Sequence, residues 1–185
     1  MDIGDNIPLR VKAERHQRGW SLDELARRSG VSRAMISKIE RKASTPTAVL
    51  LARLADAMDL TLSALMFESR TPGHRITTLA AQAHWKDPVS GHTRRLVSPA
   101  VYPGDAEIVA VELPAAARVS FAAAGTIRID GQLLLLEGRL QLALGTELVT
   151  LQPGDCARVE LHREHELHNP GRESARYLVV IRQRI

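Results

Sequence analysis

The sequence predicts an α+β chain, with an all-α front of five short helices and an all-β back built as a barrel or sandwich. Three observations carry this expectation. Helix caps recur through the first third, each followed by a segment of helical length. The breaker cluster Thr71-Pro72-Gly73 ends that texture. Beyond it, short β-rich runs alternate with Gly, Pro and Asp turns at the spacing of a sandwich or barrel. With 185 residues there is room for two small domains. We expect one over residues 1–70, a linker over 71–76 and a second domain over 77–185.

The first helix is expected from Leu9 to Arg18, stopped by Gly19. Ser21-Leu22-Asp23-Glu24 is a capping box, in which the Ser hydroxyl accepts from the Glu24 N–H and the Glu24 carboxylate reaches back. It opens a second helix from Leu22 to Arg28. Ser29-Gly30-Val31 is a tight turn, with Gly30 free to take positive φ. Ser32 caps a third helix ending near Arg41. Thr45-Pro46, a cap followed by proline at the first helical position, opens a fourth from Thr47 to Met58, and Thr61 caps a short fifth through Met66.

In the back half, strands are expected at Glu107–Leu113, Arg118–Phe121, Leu133–Leu136, Arg139–Leu144, Glu147–Leu151, Ala157–Leu161 and Arg176–Ile181, with the segment from His74 adding more. Turns are expected at Pro103-Gly104-Asp105, Asp130-Gly131 and Pro153-Gly154-Asp155.

Composition narrows the function. The chain is 44% apolar and 25% charged, as in a soluble protein with a core, and no stretch approaches the ~18 apolar residues of a membrane span. No secretory signal is read at the start, and the single cysteine, Cys156, excludes an internal disulfide; a reducing cytoplasm is expected. Residues 1–70 carry 12 Lys/Arg against 9 Asp/Glu and residues 71–95 carry 4 against 1, whereas residues 96–185 carry 9 against 11. Only the front therefore suits a polyanion. With six aromatic residues in all, rows of stacking rings for single strands are missing, which points away from unspecific RNA or single-stranded DNA binding.

Leu22, Leu25, Ala26, Val31, Ile36 and Ile39 give the second and third helices an apolar face. Arg33, Ala34, Ser37, Lys38 and Arg41 fall on the opposite stripe of the third helix, and residues 27–42 hold six basic side chains and one acidic one. Such a helix, exposed at its N-terminal end, fits the major groove of B-DNA.

Gly19-Trp20-Ser21-Leu22-Asp23-Glu24-Leu25-Ala26, then Ser29-Gly30-Val31-Ser32, Ile36-Ser37-Lys38-Ile39-Glu40-Arg41 and Pro46-Thr47, resemble the Xre-type helix-turn-helix over roughly residues 7–66. The resemblance implies a recognition helix with Arg33, Ala34, Ser37 and Lys38 at the base-reading positions. It also implies an ion pair between Arg10 and Glu40 bracing the first helix against the third. Lys42 and Asp59 depart from the family, standing where many members have Gly after a helix. Arg33 is the expected specificity residue, because a guanidinium bonds guanine O6 and N7 together. Ser21, Ser32, Arg41 and Lys42 suit phosphates, which set register without reading sequence.

Leu135-Leu136-Glu137-Gly138-Arg139-Leu140, then Leu151-Gln152-Pro153-Gly154-Asp155, then His165 and Asn169, resemble the cupin family over about residues 105–182. That implies a jelly-roll barrel. Metal-binding cupins use two His and one Glu from a first motif and one His from a second. Counting back from Gly138 places the Glu at Gly131 and the two His near Gly125 and Ile127, so only His165 of the four survives and no metal or cofactor is expected. His162, His165 and His168 cannot converge on an extended segment, since side chains three apart on a strand face opposite ways. They read as surface or hydrogen-bonded histidines, with His165 a candidate effector contact.

Barrel mouths are common ligand sites, and Phe121, Arg128, Leu135, His165 and Tyr177 are the candidate pocket residues; the alternative is a filled barrel that only dimerises. Arg94 and Arg95, with His92, read as a solvated strand edge, and Trp85 as packing. The expected function is a homodimeric regulator that binds a palindromic double-stranded DNA operator and answers to a small-molecule effector, without membrane contact. The rivals are an antitoxin-like protein repressing its own operon and a cupin enzyme with a DNA-binding appendage.

Overall fold

The computed structural model describes residues 3–4, 6–67, 75–99, 106–123 and 129–183. Five helices come first: α1 (Ile7–Gln17), α2 (Leu22–Ser29), α3 (Arg33–Glu40), α4 (Ala48–Ala57) and α5 (Leu62–Met66). Ser21, Ser32, Thr47 and Thr61 each accept a hydrogen bond from the backbone N–H three residues on, capping α2 to α5. The cap of α4 is therefore Thr47, not Thr45: Pro46 is buried before the helix rather than at its first turn. The capping box at α2 is half made. Ser21 Oγ accepts from Glu24 N–H, but the Glu24 carboxylate turns outward to Arg27 and Arg28.

Gly30 ends α2 at φ 64°, and a Cβ there would collide with the Arg53 guanidinium. Arg53, on α4, donates to Ser29 O and Gly30 O at 3.2 and 2.7 Å, so α4 holds the turn between α2 and α3. Leu25, Val31, Ile36 and Ile39 are buried at the centre of the bundle, with Leu22 and Ala26 packed against them.

Beyond a 3-10 turn at Leu79–Ala81 come β1 (His84–Lys86), β2 (Thr93–Leu96), β3 (Glu107–Leu113), β4 (Arg118–Phe121), β5 (Ile129–Glu137), β6 (Leu140–Leu144), β7 (Glu147–Leu151), β8 (Cys156–Glu160), β9 (His165–His168) and β10 (Ala175–Gln183). They form two facing antiparallel sheets, ordered β1-β2-β3-β10-β5-β8 and β4-β9-β6-β7. Alternate residues such as Val109, Leu133, Leu142 and Val179 meet between the sheets. One expected turn is corrected. Asp130-Gly131 lies inside β5, paired with β10 on one side and β8 on the other. Gly131 serves close packing, since a Cβ there would come within 2.7 Å of Leu161.

The helical and sheet regions share packing. Trp85 of β1 is buried among the helical core residues, and Ile3 N–H donates to His84 O. The expected turn at residues 103–105 and most of the expected linker at 71–76 lie outside the described residues.

Candidate nucleic-acid interface and barrel cavity

Arg33 and Ala34 begin α3, and Ser37 and Lys38 follow one turn later on the same stripe. Arg33, Ala34 and Lys38 are exposed and Ser37 is half-buried. Ser21 and Ser32 are exposed at the N-termini of α2 and α3, where free backbone N–H groups favour phosphate oxygens. Arg41 and Lys42 are exposed at the far end of α3. Lys42 takes φ 59° and Asp59 φ 58°, the left-handed conformation that favours glycine.

The six basic residues of this segment are not equally available. Glu24 holds Arg27 and Arg28, which lower its carboxyl to about 2, and Arg28 also lies over the Trp20 ring, 4.4 Å from its centroid. Arg33 Nε sits 3.2 Å from Asp23 Oδ1, an exposed pair that sequence reading did not anticipate. Lys42 also shares a groove with Lys86 of β1, together with Ser44 and Thr45. Lys86, contributed by the sheet region, was not foreseen either, because only folding brings β1 beside the α3–α4 loop.

The expected Arg10–Glu40 pair is corrected. Glu40 pairs with Arg15, Nε to Oε1 at 2.7 Å and Nη2 to Oε2 at 2.8 Å, both side chains more than 90% buried. Arg15 Nη1 also donates to Trp20 O. Arg10 instead pairs with Glu14, one turn along α1. Helical phase explains the exchange: five residues separate Arg10 from Arg15, a rotation of about 140°, so only one of them can face α3.

At the mouth of the barrel is a cavity of about 100 Å³. Phe121, His165 and Tyr177 line it; Leu135 is fully buried in the core but not on the wall, and Arg128 lies outside the described residues. Its roof is helical, made by Ala52, Asp56, Leu60, Thr61 and Leu62. His165 stacks on Phe121 with ring centroids 5.0 Å apart, and its Nδ1 donates to Arg163 O at 2.8 Å. Burial pushes its pKa down against that hydrogen bond, and the Arg94 charge adds to the fall. His162 and His168 turn elsewhere, to Ile129 O and Gln141 Oε1.

The expected solvated edge at residues 92–95 is a further correction. Arg94 and His92 are buried, since β2 is flanked by β1 and β3 and its inner face lies beneath the helices. Arg94 lines the cavity, while Trp85 packs edge-on to His92.

Comparison with known proteins follows the same division. A helix-turn-helix family model matches residues 11–65 and a cupin domain model residues 133–181. The chain carries an Xre-type helix-turn-helix domain at its N-terminus and a cupin domain at its C-terminus. The HTH-type transcriptional regulator SutR of Escherichia coli is 25% identical over 92% of this chain and 91% of its own length. SinR of Bacillus subtilis, also an HTH-type transcriptional regulator, is 35% identical over 34% of this chain and 57% of its own. A crystal structure of an HTH_3 family transcriptional regulator from Vibrio cholerae shares the fold, with a TM-score of 0.78 and 21% identity over 97% and 96% of the two chains. These relationships place the helix-turn-helix cupin chain among DNA-binding transcription regulators.

Gly131, which the cupin resemblance aligns with the metal-binding Glu, has no side chain to ligate an ion, and positions 125 and 127 lie outside the described residues. Among the described residues no three His, Cys, Asp or Glu side chains cluster to hold an ion. Around His165 the wall is carbon, apart from Arg94, Tyr177, Thr61 and Asp56.

Proposed function

We propose that this chain is a sequence-specific regulator that binds a palindromic operator as a homodimer, and that its barrel cavity takes a small-molecule effector. The observation that carries the DNA half is the exposed stripe of Arg33, Ala34, Ser37 and Lys38 at the free end of α3, flanked by two serine-capped helix N-termini. Arg33 and Lys38 read base edges, while Ser21, Ser32, Arg41 and Lys42 set register on phosphates. Two copies with recognition helices about 34 Å apart span one helical repeat of DNA. The effector half rests on the cavity's position, walled by the cupin and roofed by α4 and the α4–α5 turn. A ligand that fits one placement of that roof better than another shifts operator affinity.

Genome-wide footprinting identifies the operator, and anisotropy titrations on that duplex against a scrambled one test the reading. Preference for the operator at moderate salt, with two chains per duplex, supports it; equal affinity for both duplexes overturns it. The effector half is tested by repeating the titration with the small-molecule fraction of a bacterial extract. A shift in affinity supports an effector, and an unchanged curve overturns that half alone.

A further inference from the structure

One charged residue of the cavity wall, Arg94, is set apart by its burial. Arg94 is 92% buried by its 8% exposure, yet among the described residues its side chain makes no hydrogen bond or ion pair, and its Nε is fully enclosed without a partner. A buried guanidinium left alone costs several kcal/mol. Pairing register explains its placement. Arg94 on β2 faces Val111 on β3, which faces Tyr177 on β10, so Arg94 and Tyr177 lie on one row across the sheet. Two strand spacings separate their backbones, about 10 Å, within reach of two long side chains converging on one small group.

The neighbouring groups do not discharge Arg94. Burial raises the pKa of Glu107, the nearest carboxylate electrostatically, against the pull of Ser63 and Arg94. Its Oε2 and the Ser63 Oγ are themselves enclosed without a hydrogen bond of good geometry. Tyr177 is pushed up by burial, so its hydroxyl stays protonated and is a donor; it has no hydrogen bond among the described residues. The other side of the cavity is carbon, including Leu142, Val159 and Ile181.

We propose that the cavity binds a small monocarboxylate with an apolar body, its carboxylate on the Arg94 guanidinium and the Tyr177 hydroxyl and its hydrocarbon against Leu142, Val159 and Ile181. The proposal rests on the reading of the cavity as the effector site. Size keeps the body to about four carbons, since an apolar cavity of about 150 Å³ takes benzene and this one is about 100 Å³. The roof selects against a second negative charge, because Asp56 lines the cavity from α4. Binding also has a route to the DNA face. Ala52 and Asp56 share the cavity side of α4, and Arg53 between them reaches the other way to the carbonyls of Ser29 and Gly30. A ligand that shifts α4 therefore shifts the turn that sets α3.

Calorimetric titration of the full chain with isovalerate, isovaleramide and isoamylamine tests this. The three share a hydrocarbon body and differ in head-group charge. Isovalerate is expected to bind at least tenfold more tightly than the amide, with no measurable binding of the amine. Arg94→Gln is expected to reduce the acid to the level of the amide. The comparison of acid with amide on the unaltered protein stands even if that variant does not fold. Equal binding of acid and amide, tighter binding of the amine, or no binding by any of the three overturns the proposal. If cell extract still shifts operator affinity, an effector of another class remains and only the carboxylate assignment falls.

Discussion

Asp87 of the β1–β2 turn accepts the backbone N–H of Ala48, at the start of α4, on its Oδ2 at 2.7 Å. Its other oxygen takes the N–H groups of Val89 and Ser90 at 2.9 and 2.8 Å. One buried carboxylate thus shapes a hairpin of the sheet and caps a helix of the bundle, which is why the two regions pack as neighbours rather than hang on a linker. Removing it orphans three donors. Asp87→Ala is expected to cost about 2 kcal/mol, and Asp87→Asn less, because the amide keeps one acceptor oxygen. Urea unfolding followed by Trp85 fluorescence, read in a Trp20→Phe background, and by helical circular dichroism checks this. A midpoint lowered to the same extent by both probes supports a shared structural role, and an unchanged midpoint overturns it.

The same hairpin makes stability depend on pH. Burial and the nearby Arg94 charge push His92 down to about 4, against the pull of Asp87, from an ordinary 6.5. Between those values the unfolded chain binds a proton that the native chain refuses. Stability is therefore fully present above about pH 6.5 and falls as pH drops toward 4, by roughly 3 kcal/mol at full effect. Three backbone N–H donors hold Asp87 below the usual carboxylate range despite its burial, so its own contribution is lost only at still lower pH. Unfolding curves at pH 7, 6, 5 and 4.5 read the slope, and His92→Gln is expected to flatten it. An unchanged slope in that variant shows that another group titrates.

Much of this architecture is legible before folding, and the exceptions share a cause. Caps such as Ser32 and Thr61 act within one turn, so sequence places them. The core positions Leu25, Ile36 and Ile39 follow from helical period. What sequence reading misses depends on contacts far apart in the chain. Arg94 reads as an edge cation until β3 pairs beside it and the helices roof it, and Asp130-Gly131 reads as a turn until β8 and β10 flank it. Phe121, His165 and Tyr177 meet at the cavity, but nothing local separates them from Leu135, which has the same alternation and sits deeper.

At the DNA face, the Asp23 carboxylate competes with bases for Arg33. The pair is exposed and worth at most about 1 kcal/mol, so it holds the guanidinium ready without locking it. Asp23→Asn is expected to tighten binding to all duplexes several-fold by removing a negative charge beside the phosphates. Arg33→Ala is expected to relax sequence preference by about 1–3 kcal/mol, and Lys42→Ala to weaken operator and scrambled duplexes alike. Lys42→Gly adds a separation of roles. It relieves the left-handed strain at φ 59°, raising stability by about 1 kcal/mol, while losing the same phosphate contact. Equal losses on operator and scrambled DNA for Arg33→Ala would reverse the assignment of reader and positioner.

The brace between α1 and α3 gives the last contrast. Arg15 meets Glu40 through two parallel hydrogen bonds in a nearly closed setting, and its third nitrogen holds the Trp20 carbonyl before α2. Arg15→Ala leaves the Glu40 carboxylate buried without its partner and is expected to cost about 3–5 kcal/mol. Arg10 pairs with Glu14 from a third-exposed position, and Glu14 keeps Arg18 as a second partner. Arg10→Ala is therefore expected to cost under about 1 kcal/mol. The two variants differ by one residue type at two positions of one helix, so their intrinsic helical preferences cancel in the comparison. Thermal unfolding at neutral pH decides it: similar losses from both would mean that α1 is braced by its apolar face, through Ile7 and Val11, rather than by the Arg15–Glu40 pair.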